Sequence, residues 1–577
     1  MFTRKTPLAS REWLAPNVIE AEKVLAGLNL TNQEDRHWRN NIFRLYPIRF
    51  AHRLAREYEE LFVFDGERAA NLYLLEHGER SRKSAIPMQA SDIELGQLAK
   101  KRANEMRQLA AVAPDETQAL VSTWKLAKYF GIAPPSPDDL NITVSGALKR
   151  LCDEHWWLRQ LRKAHARHLE TEAIHIGMVH KRAGVYVSDE TLHRHQEQKK
   201  RNRRILSHMV AVNEKGQSFT LEEMAEKGIS NPKNRRNELM ARVFGFETIA
   251  DDLGHVAEFY TLTCPSRMHA RLSKSGEANP KYDGTTPKQA QTYLTELWAR
   301  IRAKLKRDDL EIYGFRVAEP HQDGTLFTTP EDIDTLRKIF LHYALHEDGD
   351  EAGAKERRFT WVSIDKAKGS AIGYIAKYVS KNIDAYGIKE DENGEDAKNS
   401  AVRVTAWAST WGIRQFQQFG GVPVSLWREL RRVSGNIPEG VLREAFEAAD
   451  SGNWAQFLKV LGGATPKRSA LPVKLAKEES EETGKYGDPV GKKIIDVEAD
   501  SIILQTRIHQ WIIFNIPQNH LQGSVLHRTE GEARSVRTER RAAAYGPDAF
   551  AVKPPCGRMS QMRRIGDIAW LLRRELG

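Results

Sequence analysis

Between Gly254 and Ala385 the hydrophobic pattern switches back and forth between the two-residue period of a strand and the 3.6-residue period of a helix. His255 to Cys264 is rich in aromatic and β-branched residues and stops at Pro265, so it reads as a strand. Pro287 to Arg307 reads as a helix, with Arg300, Arg302, Lys304, Lys306 and Arg307 on it. Glu311 to Glu319 is a second strand, and Asp323-Gly324 is expected to turn the chain into a short third, Thr325 to Thr329. A helix from Pro330 to Leu345, a fourth strand from Arg358 to Ile364 and a helix from Lys366 to Ala385 complete the series. An order of strand, helix, hairpin, helix, strand, helix specifies an α+β layer built on an antiparallel sheet.

The rest of the chain reads differently. Residues up to about 215 are mainly helical, with apolar residues at helical spacing (Ile42, Leu45, Ile48; Trp156, Trp157, Leu161). A break at Pro134, Pro135 and Pro137 divides this region, and Asp138 and Asp139 are expected to start the helix that follows. His165, His168 and His175 lie among Arg162, Lys163 and Arg167, which suggests a basic helix surface rather than a metal site. Beyond residue 435 the chain reads as helical again, with a polar linker at Lys474 to Asp488 and basic segments at Arg534 to Arg541 and Arg563 to Arg574. At 577 residues, such a chain needs more than one hydrophobic core.

Composition narrows the function classes. No apolar run approaches the roughly 18 residues of a membrane span; the best, Ile502 to Ile516, is broken by Gln505, Arg507, His509 and Gln510. The first residues lead into no apolar signal core. Cys152, Cys264 and Cys556 form no paired motif, which fits a reducing cytoplasm and argues against disulfides or a cysteine zinc site. Lys and Arg number 88 against 77 Asp and Glu, and the resulting +11 suits a polyanionic partner. Gly487 to Lys493 lacks the spacing and the Ser/Thr of a nucleotide-binding P-loop, so no motor for unwinding DNA is encoded there.

The segment with most chemical content is Tyr374-Ile-Ala-Lys377-Tyr378-Val-Ser-Lys381. Two tyrosines four apart on a helix share one face, with Cβ atoms about 6 Å apart. A tyrosine hydroxyl can attack a phosphodiester, leaving a phosphotyrosine ester and a free 3′-hydroxyl. On its own such a pair is ordinary helix packing. Its neighbours add weight: the strand Phe259-Tyr-Thr-Leu-Thr-Cys-Pro-Ser266, the hairpin Glu319-Pro-His321-Gln-Asp323-Gly, and the block Arg403 to Gly421, in which Arg414 stands near Trp411 and Phe416. Arg414 there combines charge with aromatic groups suited to single-stranded bases. Arg267 and His269, just past the first strand, are candidates to meet phosphate.

In that order these blocks resemble the replication gene A proteins of tailed phages, across roughly residues 150 to 435. The resemblance implies a rolling-circle initiator with an HUH-type nuclease core at 216–435, flanked by a helical N-terminal region (1–215) and a basic helical C-terminal region (436–577). It implies Tyr374 and Tyr378 as nucleophiles, Thr261-Leu262-Thr263 as a core strand beside the site, and Lys377 and Lys381 as phosphate contacts. It also implies a divalent Mg or Mn ion as Lewis acid, origin DNA as substrate, a host helicase as partner, and a bacterial cytoplasm as the place of action.

One departure matters. The family's metal motif is a histidine–apolar–histidine pair on the strand after the hairpin, and here Thr325 runs directly into Leu326-Phe327-Thr328-Thr329. About six residues are missing, or about 20 Å of strand at ~3.3 Å per residue. An even-numbered loss keeps the in/out phase of the remaining strand, so the sheet can still close. Glu319, His321 and His269 are the remaining metal candidates, and Asp323 is a fourth side chain that could join them if the fold brings them together. Two outcomes are therefore expected to compete: a tyrosine nuclease, and an origin-binding remnant impaired in catalysis.

Overall fold

The computed structural model describes residues 15–515, apart from 31, 140, 181–182, 273–276, 320–321, 366–372, 374–377, 380–381, 385–396, 434 and 500–501. The chain divides into two compact units, one running to Thr191 and including Ser480–Gly491, the other comprising Leu192–Glu479 and the chain from Lys492.

The first unit is helical: α1 (Pro16–Leu25), α2 (Gln33–Phe43), α3 (Ile48–Phe64), α4 (Glu67–Arg82), α5 (Asp92–Ala111), α6 (Glu116–Tyr129), α7 (Val144–Leu151) and α8 (Glu154–His175). At 22 residues, about 33 Å long, α8 serves two cores. Its Trp156, Trp157 and Leu161 pack with α5, α6 and α7, whereas Leu169 and Ala173 pack with the Phe50, Leu54 and Tyr58 stripe of α3. The expected basic surface on this helix is not what forms. His165 is buried with Nε2 2.9 Å from the Met88 carbonyl, and Arg162 pairs with Asp92 at 2.8 Å. Nor do Asp138 and Asp139 begin α7; Thr143 does, its hydroxyl accepting from Gly146 N at 2.9 Å. The expected linker around Asp488 is also ordered into this unit. Asp488 accepts from the backbone N and hydroxyl of Thr143 (2.8 and 3.0 Å) and pairs with Arg150 at 2.5 Å.

The second unit contains the sheet that the sequence pattern requires. After α9 (Asp189–Ser207, straddling the division), β1 (Met209–Asn213), β2 (Ser218–Thr220) and α10 (Leu221–Lys227), helix α11 (Pro232–Leu253) leads into β3 (Val256–Leu262). Then follow α12 (Pro287–Arg307), β4 (Tyr313–Ala318), β5 (Gln322–Thr328), α13 (Ile333–Ala344), β6 (Phe359–Ser363), the Ala397–Trp411 helix and β7 (Phe416–Phe419). The five strands pair antiparallel in the order β6-β3-β5-β4-β7. Helix α12 has the predicted bounds because Pro287 stands at its first position and Thr286 with Gln289 closes a capping box.

Alternate residues on each strand feed two cores. Tyr260, Leu262 and Leu326 pack with Trp298, Ile301, Leu336 and Phe340 of α12 and α13. Phe315, Val317 and Phe327 pack on the other face with Val243 and Phe246 of α11 and with Val379 and Ile383. The β4–β5 reversal differs from expectation. Ala318 is in register with Gln322, so the connection is 319–321, and Asp323 and Gly324 lie within the strand rather than in a turn. β5 pairs along its whole length with β3, from Val256↔Thr328 to Leu262↔Gln322, so the shortened hairpin still closes the sheet. Gly314 permits the close approach of β4 to β5: at φ +146°, a Cβ there would lie 2.1 Å from the Thr325 carbonyl oxygen.

The region after residue 435, expected to be helical, holds helices Val441–Ser451 and Trp454–Val460 and then four strands. These are β8 (Val473–Glu479), β9 (Lys492–Ala499), β10 (Ile502–Gln505) and β11 (Trp511–Asn515). β8, β9 and β10 form one sheet, and β11 joins β1 and β2 in another. The high charge of Lys474 to Glu479 hides a strand whose inward residues are Val473 and Ala476.

Candidate active site

The second tyrosine of the motif lies on the α11-side face of the five-stranded sheet. Residues 378–379 and 382–383 are helical, and burial of Val379 and Ile383 in the same core holds this turn against the strands. Tyr378 is half-buried, and its ring stacks on Phe259 of β3 with centroids 5.2 Å apart and planes 24° apart. Phe259 is in register with Thr325 of β5, and Thr325 with Phe315 of β4. Cross-strand neighbours share a face, which places Thr325 on the tyrosine side of the sheet.

Two polar ties fix the turn. Asn382, fully buried, donates from Nδ2 to the Tyr378 carbonyl at 2.8 Å and to Glu319 Oε1 at 2.5 Å. Glu319 is itself buried, immediately after β4. Two residues further, Asp384 pairs at 2.5 Å with Arg236 of α11, which is also buried. Neither Asn382 nor Asp384 stood out in the sequence. The signal for Asn382 was its place four residues after Tyr378, on the same helix face.

The other expected site residues are spread out. Tyr374, Lys377, Lys381 and His321 lie outside the described residues. Arg267 is held by three carboxylates, with Nη1 2.6 Å from Asp283, Nε 2.9 Å from Asp348 and Nη2 2.5 Å from Glu347. The hydrogen bonds it donates to Asp283 and Asp348 hold its guanidinium above the usual arginine range. His269 places Nε2 3.2 Å from the Cys264 carbonyl, and burial pushes its imidazole below the usual value. Arg414 is exposed, two residues before β7.

The implied divalent ion finds a poor donor set here. On the tyrosine side the described side chains of β5 are Thr325 and Phe327, the side chain of Asp323 in the same alternation lies outside the described residues, and Glu319 is bonded to Asn382. Among the described residues no group of three His, Cys, Asp or Glu side chains is placed to hold an ion. The described residues therefore do not fit such a metal.

What the arrangement does supply is a phenol held on a sheet face by ring stacking on one side and a buried backbone tie on the other. Comparison with known proteins agrees with the order of the blocks. The model of the bacteriophage replication gene A protein (GPA) family matches residues 94–386. The replication gene A protein of Escherichia phage 186 is 40% identical over 468 residues, covering 75% of this chain and 67% of that protein. The probable replication protein P12 of Pseudoalteromonas phage PM2 is 38% identical over 394 residues, 66% of this chain and 61% of its own length. A probable replication endonuclease from a prophage-like region of Salmonella paratyphi A is 35% identical over 378 residues, 61% of this chain and 47% of its own. The match thus spans about half to two thirds of these relatives. No solved structure matches the chain. The chain belongs to the bacteriophage replication gene A protein family.

Proposed function

We propose that the chain is a site-specific, single-strand DNA endonuclease that starts phage or prophage replication by tyrosine transesterification. The observation that carries this reading is the seating of Tyr378 on Phe259, with its backbone tied through Asn382 to Glu319. The antiparallel sheet with the tyrosine turn on one face supports an HUH-type core within 216–435.

In the reaction the Tyr378 Oη forms a bond to the scissile phosphorus as the P–O3′ bond breaks. The hydroxyl proton leaves and the 3′ oxygen gains one, so the proton count is unchanged. The product is a 5′-phosphotyrosine and a 3′-hydroxyl for a polymerase, and the ester keeps the energy of the broken bond for rejoining. Tyr374 is the second nucleophile that resolves the unit-length product in rolling-circle replication. What the described residues contribute is orientation: the ring stack limits Tyr378 rotation, and a nucleophile held near its attack geometry lowers the entropic part of the barrier. A host helicase supplies unwinding, and the reaction takes place in the cytoplasm of the bacterial host. No helix among the described residues is long and apolar enough to cross a membrane.

A second reading is favoured by the residues of β5. With Thr325 and Phe327 where a ligand pair would stand, the chain binds its origin without cutting it. One experiment decides between them: supercoiled DNA carrying the chain's own origin, with Mg²⁺ or Mn²⁺, assayed for a covalent protein–5′-DNA adduct. An adduct that is lost in Tyr378→Phe or Tyr374→Phe supports the nuclease. Origin binding without an adduct supports the silent binder.

A further inference from the structure

The β7 edge of the sheet gathers arginines that have no carboxylate partner among the described residues. Arg316 of β4 is in register with Gln417 of β7, whose Oε1 accepts from Nη2 at 2.6 Å. Its guanidinium carbon sits 5.5 Å from the ring centroid of Trp298 on α12. Nη1 is buried and has no hydrogen-bond partner among the described residues. Arg302 follows Trp298 by four residues and therefore rises from the same side of α12, exposed. Arg414, also exposed, precedes Gln415, whose carbonyl accepts from Ala318 N at 2.7 Å, and so enters beside the end of β4.

Arg302 and Arg414 both lie close enough to Arg316 to act on its charge, and none of the three has a carboxylate partner among the described residues. Burial, then Arg302 and Arg414, push the Arg316 guanidinium down to about 10. Three other arginines of this unit are neutralised: Arg267 by three carboxylates, Arg337 by Glu258 and Asp334, Arg428 by Glu238. Burying a guanidinium donor without a partner is costly unless an anion completes the set. Arginine forks match phosphate oxygens in geometry as well as charge.

We propose that Arg302, Arg316 and Arg414 form a phosphate-binding site that takes the sugar–phosphate backbone of single-stranded DNA. Arg302 and Arg316 lie on the α12 side of the sheet, and Arg414 stands at the β7 edge, where its charge is also felt by Arg242 on the other face. Gln417 and Trp298 act as positioning residues that hold the Arg316 fork. The choice of DNA as the source of phosphate rests on the nuclease reading above, whereas the phosphate chemistry does not.

The test is fluorescence anisotropy of a labelled 20-nucleotide single-stranded oligonucleotide across a salt series. For the full-length Arg302→Gln/Arg414→Gln variant we expect affinity to fall at least tenfold near 0.1 M salt, and the log–log salt slope to become shallower by about 1.4, since each lost phosphate contact removes ~0.7. Lys100→Gln/Lys101→Gln on α5 carries the same charge change and should bind as wild type. Both altered arginines are exposed, and an unchanged thermal midpoint checks the fold. Wild-type affinity and slope in the arginine variant would overturn the proposal, as would a wild-type chain that binds no oligonucleotide. Loss of ATP binding with oligonucleotide binding intact would assign the site to a free nucleotide and overturn the DNA assignment. Arginine-dependent DNA binding with no covalent adduct in the origin assay would leave this site standing and remove the nuclease reading.

Discussion

Asn382 and Glu319 are joined by a 2.5 Å hydrogen bond between two buried side chains that lie 63 residues apart in sequence. Through it the turn that carries Tyr378 is attached to the end of β4. Replacing Asn382 by Ala leaves the Glu319 carboxylate without this partner, which should cost about 1–3 kcal/mol. Asn382→Asp should cost more, since it sets two carboxyl groups against each other. Urea unfolding measures both, and origin-adduct yield should fall with them if the tyrosine turn is loosened.

Phe259→Leu keeps an apolar side chain under Tyr378 and removes the ring stack. The expected loss is about 0.5–1.5 kcal/mol of stability, the contribution of an aromatic pair beyond its buried area. Adduct formation should slow several-fold while single-strand binding stays within twofold, a split that a general loss of folding would not give. Phe259→Tyr should restore the rate.

Gly314→Ala tests the sheet itself. The added Cβ meets the Thr325 carbonyl oxygen at 2.1 Å, a backbone atom that cannot swing aside, at a φ that L residues rarely adopt. A destabilisation of about 2–4 kcal/mol is expected, in the range of severe overpacking. Denaturant midpoints check it.

Glu214 gives a pH signature. Its carboxyl is pulled down to about 2, from an ordinary 4.5, by the His509 hydrogen bond first and by backbone N–H groups including that of Gln510. Because the folded value is depressed, this contribution is complete above the unfolded value of 4.5 and fades as pH falls towards 2. The stability difference between wild type and Glu214→Gln should therefore shrink as pH falls from about 4.5 towards 2. A difference that grows on acidification would contradict the assignment.

The sheet was legible in the sequence where local signals agreed. Pro287, the Thr286 cap and a 21-residue amphipathic stripe defined α12 together, and β3 had its aromatic run and terminal proline. β7 was missed because four residues, Phe-Gln-Gln-Phe, make too short an alternation to separate from the helix before them. Asp323-Gly324 carried a turn signal, but pairing of β5 with strands on both sides overrode it. Of the site, the tyrosines were readable because their spacing is local. The setting of Arg267 was not, since its carboxylates arrive from positions 283, 347 and 348. His165 was likewise misread because its partner is a backbone carbonyl 77 residues away.

The passage of residues 480–491 through the helical unit has a consequence for proteolysis. The chain crosses between the two units at 191/192, at 479/480 and again at 491/492. Cleavage at any one junction cuts the chain in two, and after a cut at 191/192 the pieces are held only by non-covalent packing, such as Asp488 on Thr143 and Arg150. A protease nick after Thr191 would release no fragment under native conditions, and denaturation would still show the Ser480–Gly491 stretch travelling with the larger product.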